Sequence, residues 1–115
     1  MVDFTGTWTN QNGSTLELRQ LGSGSIDGRF ESGVGDDDQT LWVDVSGHAL
    51  GDIITFYAMF EKYSTIVSWV GQHTDKDGMG QIKTHWLHAT DVANEDEPDW
   101  LWYTNRIGND TFVRR

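Results

Sequence analysis

Hydrophobic and polar positions along this chain alternate in short runs. Ser14, Leu16 and Leu18 fall on one face, and Thr15, Glu17 and Arg19 on the other. In the same way Gly6, Trp8 and Asn10 oppose Thr5, Thr7 and Thr9; Phe30, Ser32 and Val34 oppose Arg29, Glu31 and Gly33; and Asp110 and Phe112 oppose Thr111 and Val113. Successive side chains of a β-strand point to opposite faces, so a period of two predicts strands with one inward face. No window carries the 3.6-residue apolar stripe of an amphipathic helix. Turn or bulge signals punctuate the runs at Asn12-Gly13, Gly22-Ser23-Gly24, Asp27-Gly28, Gly35-Asp36-Asp37-Asp38, Ser46-Gly47, Gly51-Asp52 and Asp77-Gly78. The pattern predicts eight strands, over 4–11, 14–21, 25–33, 40–47, 52–60, 64–72, 80–90 and 103–114.

Short strands with frequent turns make a sandwich or a barrel. The inward set decides between them. A dry sandwich core rarely accepts Asn10, Ser14, Ser32 and Asp110 together, because unpaired buried polar groups are costly. A closed eight-stranded barrel accepts them around a ligand held in its mouth. The expected fold is therefore all-β: a single domain over 1–115 forming an eight-stranded antiparallel up-and-down barrel. The runs 53–60 and 65–70 are apolar on both faces. One face fills the barrel, and the other predicts a subunit interface, with burial under a loop as the competing reading.

Composition narrows the function. A chain of 115 residues fits one domain with a core of its own. The absence of cysteine excludes thiol catalysis, disulfide scaffolds and zinc fingers. A net charge of −10 argues against nucleic acid and anionic membranes as partners. No apolar run approaches the ~20 residues of a membrane-spanning helix. Met1-Val2-Asp3-Phe4 lacks the basic and then apolar pattern of a signal peptide, so the compartment is not legible here. Six tryptophans exceed what so small a core needs, which predicts that some line a site while Trp8 serves the core.

Catalytic constellations are sparse. His88 and Asp110 both point inward as a conceivable acid–base pair, but no nucleophile or metal cluster accompanies them. His85 and His88 fall on opposite sides of a strand, so the histidines offer no metal spacing. Asp75-Lys76-Asp77-Gly78 is too short for a calcium loop and reads as a hairpin turn. Asn12-Gly13-Ser14 and Asn109-Asp110-Thr111 match glycosylation acceptors, a coincidence in segments expected to form the site. The expectation is a binder with no catalytic residues, no metal and no cofactor.

Five segments carry a family resemblance. These are Thr5 to Thr15 (TGTWTNQNGST), Gly28 to Gly35 (GRFESGVG), Ser68-Trp69-Val70-Gly71-Gln72, Lys83-Thr84-His85-Trp86-Leu87, and Trp102 followed by Gly108-Asn109-Asp110-Thr111-Phe112. In this order they resemble the avidin and streptavidin family over nearly the whole chain. The resemblance implies binding of biotin or biotinylated molecules by a homo-oligomer, a tetramer favoured over a dimer, in secreted or periplasmic proteins. It implies that Asn10 and Ser14 donate to the ureido oxygen, and that Ser32 and Asp110 accept from the ureido N–H groups. Trp69 and Trp86 would wall the apolar rings, Thr65 would stand near the tail carboxylate, and Trp102 would close a neighbouring subunit's pocket. Donors in the loop around Asp36 would meet the tail.

The chain also departs from the family. Phe30 stands where tyrosine is usual, removing one donor to the ureido oxygen. Phe60 replaces a tryptophan, Val67 the threonine facing the sulfur, His88 a wall leucine and Asn12 a loop leucine. Asp36, Asp37 and Asp38 would repel an acidic tail, which predicts a smaller loss for biotin amides than for the free acid. Biotin binding weaker than that of the strongest members is expected. Two other readings compete: a family barrel that has lost biotin for another small ligand, and a lipocalin-like carrier of an apolar ligand, suggested by Gly6-Thr7-Trp8.

Overall fold

The alternation resolves into eight strands in the computed structural model, which describes residues 2–32, 41–76, 78–96 and 105–115. They are β1 (Gly6–Thr9), β2 (Thr15–Gln20), β3 (Ser25–Glu31), β4 (Trp42–Leu50), β5 (Ile53–Phe60), β6 (Thr65–Thr74), β7 (Gln81–Thr90) and β8 (Asn105–Arg114). Each pairs antiparallel with the next. β8 returns to β1 through Trp8↔Arg114 and Thr9↔Val113, which closes the barrel. Short turns at Glu61–Tyr63 and Asn94–Asp96 are 3-10 helical.

Two turn signals are corrected. Asp27-Gly28 lies inside β3 and Ser46-Gly47 inside β4, where Asp27 pairs with Ser46 and Ile26 with Gly47. Glycine is there for close approach rather than for turning. A Cβ on Gly47 would lie 1.9 Å from the Thr55 carbonyl oxygen of β5. Ser32 is also corrected: it was expected inward with Phe30, but β3 ends at Glu31 and Ser32 is exposed just beyond it. The Gly35–Asp38 signal lies outside the described residues.

The inward faces form one core, with Leu16, Leu18, Ile26, Phe30, Val45, Ile54, Phe56, Ala58, Val67, Trp69, Ile82 and Phe112 all buried. Outward, β5 to β8 expose Ile53, Tyr57, Met59, Ile66, Val70, Leu87 and Ile107. On the outer face of β2 and β3 the directly opposed pairs Arg19–Asp27 and Glu17–Arg29 each close to 2.6 Å. Each arginine holds its carboxyl partner below the usual carboxylate range by hydrogen bonding to it. Exposed pairs of this kind add little stability and chiefly fix register.

The two ends of the barrel differ. At one, residues preceding β1 form a plug. Phe4 and Trp8 are fully buried, and Trp8 Nε1 donates to the Phe4 carbonyl at 3.0 Å. The Arg114 guanidinium lies 4.2 Å from the centre of the Trp8 ring and donates to the Thr5 and Asp3 carbonyls. The His73 ring meets both Phe4 and Trp8 edge-on. Toward the other end the inward residues Phe60, Trp86, His88 and Thr90 are only half-buried, which marks the mouth.

Candidate functional site

The site grows from the turn between β1 and β2. Asn10 Oδ1 accepts from the backbone N–H groups of Asn12 (3.0 Å) and Ser14 (2.9 Å), an Asx turn that needs this residue type. With its carbonyl oxygen committed, the Asn10 amide presents its NH2 end as donor. Ser14 follows, buried at the start of β2.

Asp110 sits beside this turn on the inward face of β8 and is 8 % exposed. Its Oδ1 accepts from Gln11 Nε2 at 2.7 Å and its Oδ2 from Trp69 Nε1 at 3.0 Å. Its backbone carbonyl accepts from Thr84 Oγ1 at 2.9 Å. Gln11 in turn accepts from Thr111 N–H at 3.0 Å, tying the turn to β8. Each hydrogen bond to a charged group contributes about 1.5–3 kcal/mol. The sequence singled out Asp110 but neither Gln11 nor Thr84 as its partners. Gln11 reaches it across a sequence distance that only barrel closure removes.

Aromatic rings wall the interior next to this carboxylate. The Trp69 ring stacks on Phe56 at 5.0 Å and 20°, lies 5.2 Å from Phe30 and meets the edge of Phe112. Phe30 in turn meets Phe60 edge-on at 6.2 Å. Trp86 stands opposite Trp69 on β7 and opposite Gly108 on β8. A Cβ on Gly108 would come within 2.1 Å of the Trp86 indole, so glycine is required for the indole to lie flat on β8. Gly108→Ala is therefore expected to displace Trp86 and to weaken ligand binding about tenfold or more, while the barrel still folds. Calorimetric titration beside a circular-dichroism melt checks this; unchanged affinity would show that the Trp86 position does not matter.

Toward the mouth, Thr65 Oγ1 donates to the Tyr63 carbonyl at 2.9 Å and shares a 2.9 Å hydrogen bond with Thr90 Oγ1. Val67 faces His88 across the β6–β7 ladder. His88 Nδ1 is buried and has no hydrogen-bond partner among the described residues. An orphaned polar atom of this kind destabilises by about 1–3 kcal/mol and calls for an explanation.

Of the residues expected in the site, the fold turns Ser14, Phe30, Thr65, Val67, Trp69, Trp86, His88 and Asp110 into one interior, with Asn10 and Phe60 half-buried at its margin. Ser32 lies exposed past β3, and Asp36 and Trp102 lie outside the described residues. The arrangement offers donors on a turn, a carboxylate acceptor beside them and flat apolar walls.

A model of the avidin family matches residues 1–115. The fold is similar to that of xenavidin, at a TM-score of 0.85 and 22% identity over 97% of both chains. It is also similar to apo shwanavidin, at a TM-score of 0.79 and 24% identity over 97% of this chain and 100% of that one. A phenylalanine-to-alanine variant of shwanavidin in complex with biotin matches at a TM-score of 0.78 and 23% identity over the whole of both chains. With the family matched from its first residue to its last and the closed eight-stranded barrel in place, the chain belongs to the avidin family.

Proposed function

We propose that this protein binds biotin, head first, in the open end of the barrel and releases it unchanged. The observation that carries the reading is the buried Asp110 carboxylate, fixed by Trp69 and Gln11 beside the Asn10–Ser14 turn. A cyclic urea presents a carbonyl acceptor and N–H donors on one flat ring. The Asn10 amide and the Ser14 hydroxyl suit the carbonyl, and Asp110 suits an N–H. Trp69, Trp86, Phe30 and Phe60 then cover the apolar part of the ligand. The biotin complex of the shwanavidin variant, which shares the fold, supports this choice of ligand.

Phe30 carries no hydroxyl, so it adds no hydrogen bond to the ureido oxygen. One such bond is worth about 1–2 kcal/mol, or about tenfold in affinity. Binding is therefore specific but weaker than that of the family's strongest members. The exposed apolar face of β5 to β8 supports a homo-oligomer, with a tetramer favoured. Trp102 closes a neighbouring pocket in this reading.

The test is a biotin titration followed by calorimetry and tryptophan fluorescence, with the mass measured by light scattering. One biotin per chain, quenched fluorescence and a mass of four chains are expected. No heat at micromolar protein would remove the biotin reading, and a mass of one chain would remove the oligomer.

A further inference from the structure

We infer that His88 and Arg106 form a donor pair at the mouth that reads an acidic ligand tail. The inference rests on the biotin reading above and adds to it which residues receive the carboxylate. Three observations carry it. First, His88 Nδ1 is a buried polar atom on the inward side of β7 with no partner among the described residues. Second, Arg106 is directly opposite His88 in the β7–β8 ladder. Directly opposed residues share a face, with Cβ atoms about 4.5–5.5 Å apart. Positions 106, 108, 110 and 112 of β8 share the face that buries Asp110 and Phe112, so Arg106 continues that face to the mouth. Arg106 is exposed and makes no hydrogen bond or ion pair among the described residues. Third, the depth is right. His88 lies two residues beyond Trp86 and four beyond Thr84, the residue level with Asp110. At about 3.3 Å per residue this sets the pair about 13 Å from the carboxylate that receives the head. A ligand with its head at Asp110 and its rings beside Trp86 delivers its tail there.

The surroundings leave the pair free to act. β6 brings only the uncharged Thr65 and Val67 toward His88. Among the described residues, the charged groups at this end are Arg106 itself, Asp110 deep on β8, and Asp91, Glu61 and Lys62, exposed beyond the strand ends. Asp110 is already engaged by Gln11 and Trp69. A guanidinium and an imidazole side by side match a carboxylate, and hydrogen bonds to an ionised partner are about twice as strong as neutral ones. A wall leucine at position 88 would supply no such bond. The sign is opposite to that expected from Asp36, Asp37 and Asp38, so the ratio of acid to amide affinity decides between them.

The test compares biotin with its neutral primary amide, titrated into the intact protein and into H88L and R106Q at pH 8. The intact protein is expected to favour the acid about threefold. H88L and R106Q should each lower that ratio toward one. Thermal melts show that each variant is folded; H88L, which replaces an orphaned polar ring with an apolar one, should melt no lower than the parent. An acid-to-amide ratio near one, or one that neither substitution shifts, overturns the tail reader while leaving biotin binding intact. If neither ligand binds the parent, both readings fall together.

Discussion

Trp69→Ala is expected to lower the unfolding free energy by about 3–5 kcal/mol and to abolish measurable ligand binding. The size follows from what the indole touches. It is 3% exposed at the centre of the barrel, stacked on Phe56 and in contact with Phe30 and Phe112. Truncation removes the transfer free energy of the ring and leaves a cavity that three rigid aromatics cannot collapse into. It also strips Asp110 Oδ2 of its donor, leaving half of a buried carboxylate without a protein partner. Trp69→Phe separates the two terms, because it retains most of the packing and loses only the N–H. It should destabilise by about 1–2 kcal/mol and still weaken binding. Urea unfolding of the three proteins gives the ordering. A loss below about 1.5 kcal/mol for the alanine variant would mean that the stack around Trp69 adds little to the fold.

The contrast between Trp69 and its partners shows what was legible before any coordinates. Period-two alternation placed Leu16, Leu18, Phe30 and Phe112 inward correctly, because each strand buries one face and a slip by one residue would expose it. The eight strands followed from the same pattern and the turn signals between them, and their up-and-down order from the short hairpin links. Local glycine chemistry misled at Gly28 and Gly47. Both are flanked by residues that commonly turn, but their role is to admit a neighbouring strand's carbonyl, a fact that depends on pairing. The site was legible in part. A buried aspartate announces itself in an alternating strand, so Asp110 stood out. Its partner Gln11 did not, since their contact joins the two ends of the chain. Nor did Arg106, which gains meaning only from its register opposite His88. Chain closure, not composition, creates these pairs.

That closure makes Asp110 the second decisive position. Asp110→Asn is expected to weaken biotin binding by about tenfold to a hundredfold with a modest loss of stability, and Asp110→Ala by more with a larger loss. The carboxylate receives two N–H donors from opposite sides, Gln11 Nε2 at Oδ1 and Trp69 Nε1 at Oδ2. An asparagine has one carbonyl oxygen, so its NH2 must face one of these donors. Gln11 is exposed and can turn to water, whereas the Trp69 N–H is buried and cannot. The asparagine oxygen therefore stays with Trp69, and the Gln11 Nε2 bond to position 110 is lost, while Thr111 N–H still donates to Gln11 Oε1. The turn is then held to β8 by one side-chain bond fewer at the same time as the ligand loses a charged acceptor. Alanine leaves the buried Trp69 N–H without a partner, while Gln11 Nε2 keeps the Asn109 carbonyl, and should destabilise by about 1.5–3 kcal/mol. Calorimetric titration with urea unfolding on both variants measures the two effects together. Biotin affinity within threefold of the parent for Asp110→Asn would show that the negative charge has no part in recognition. The carboxylate would then be a structural clasp between β6, β8 and the first turn.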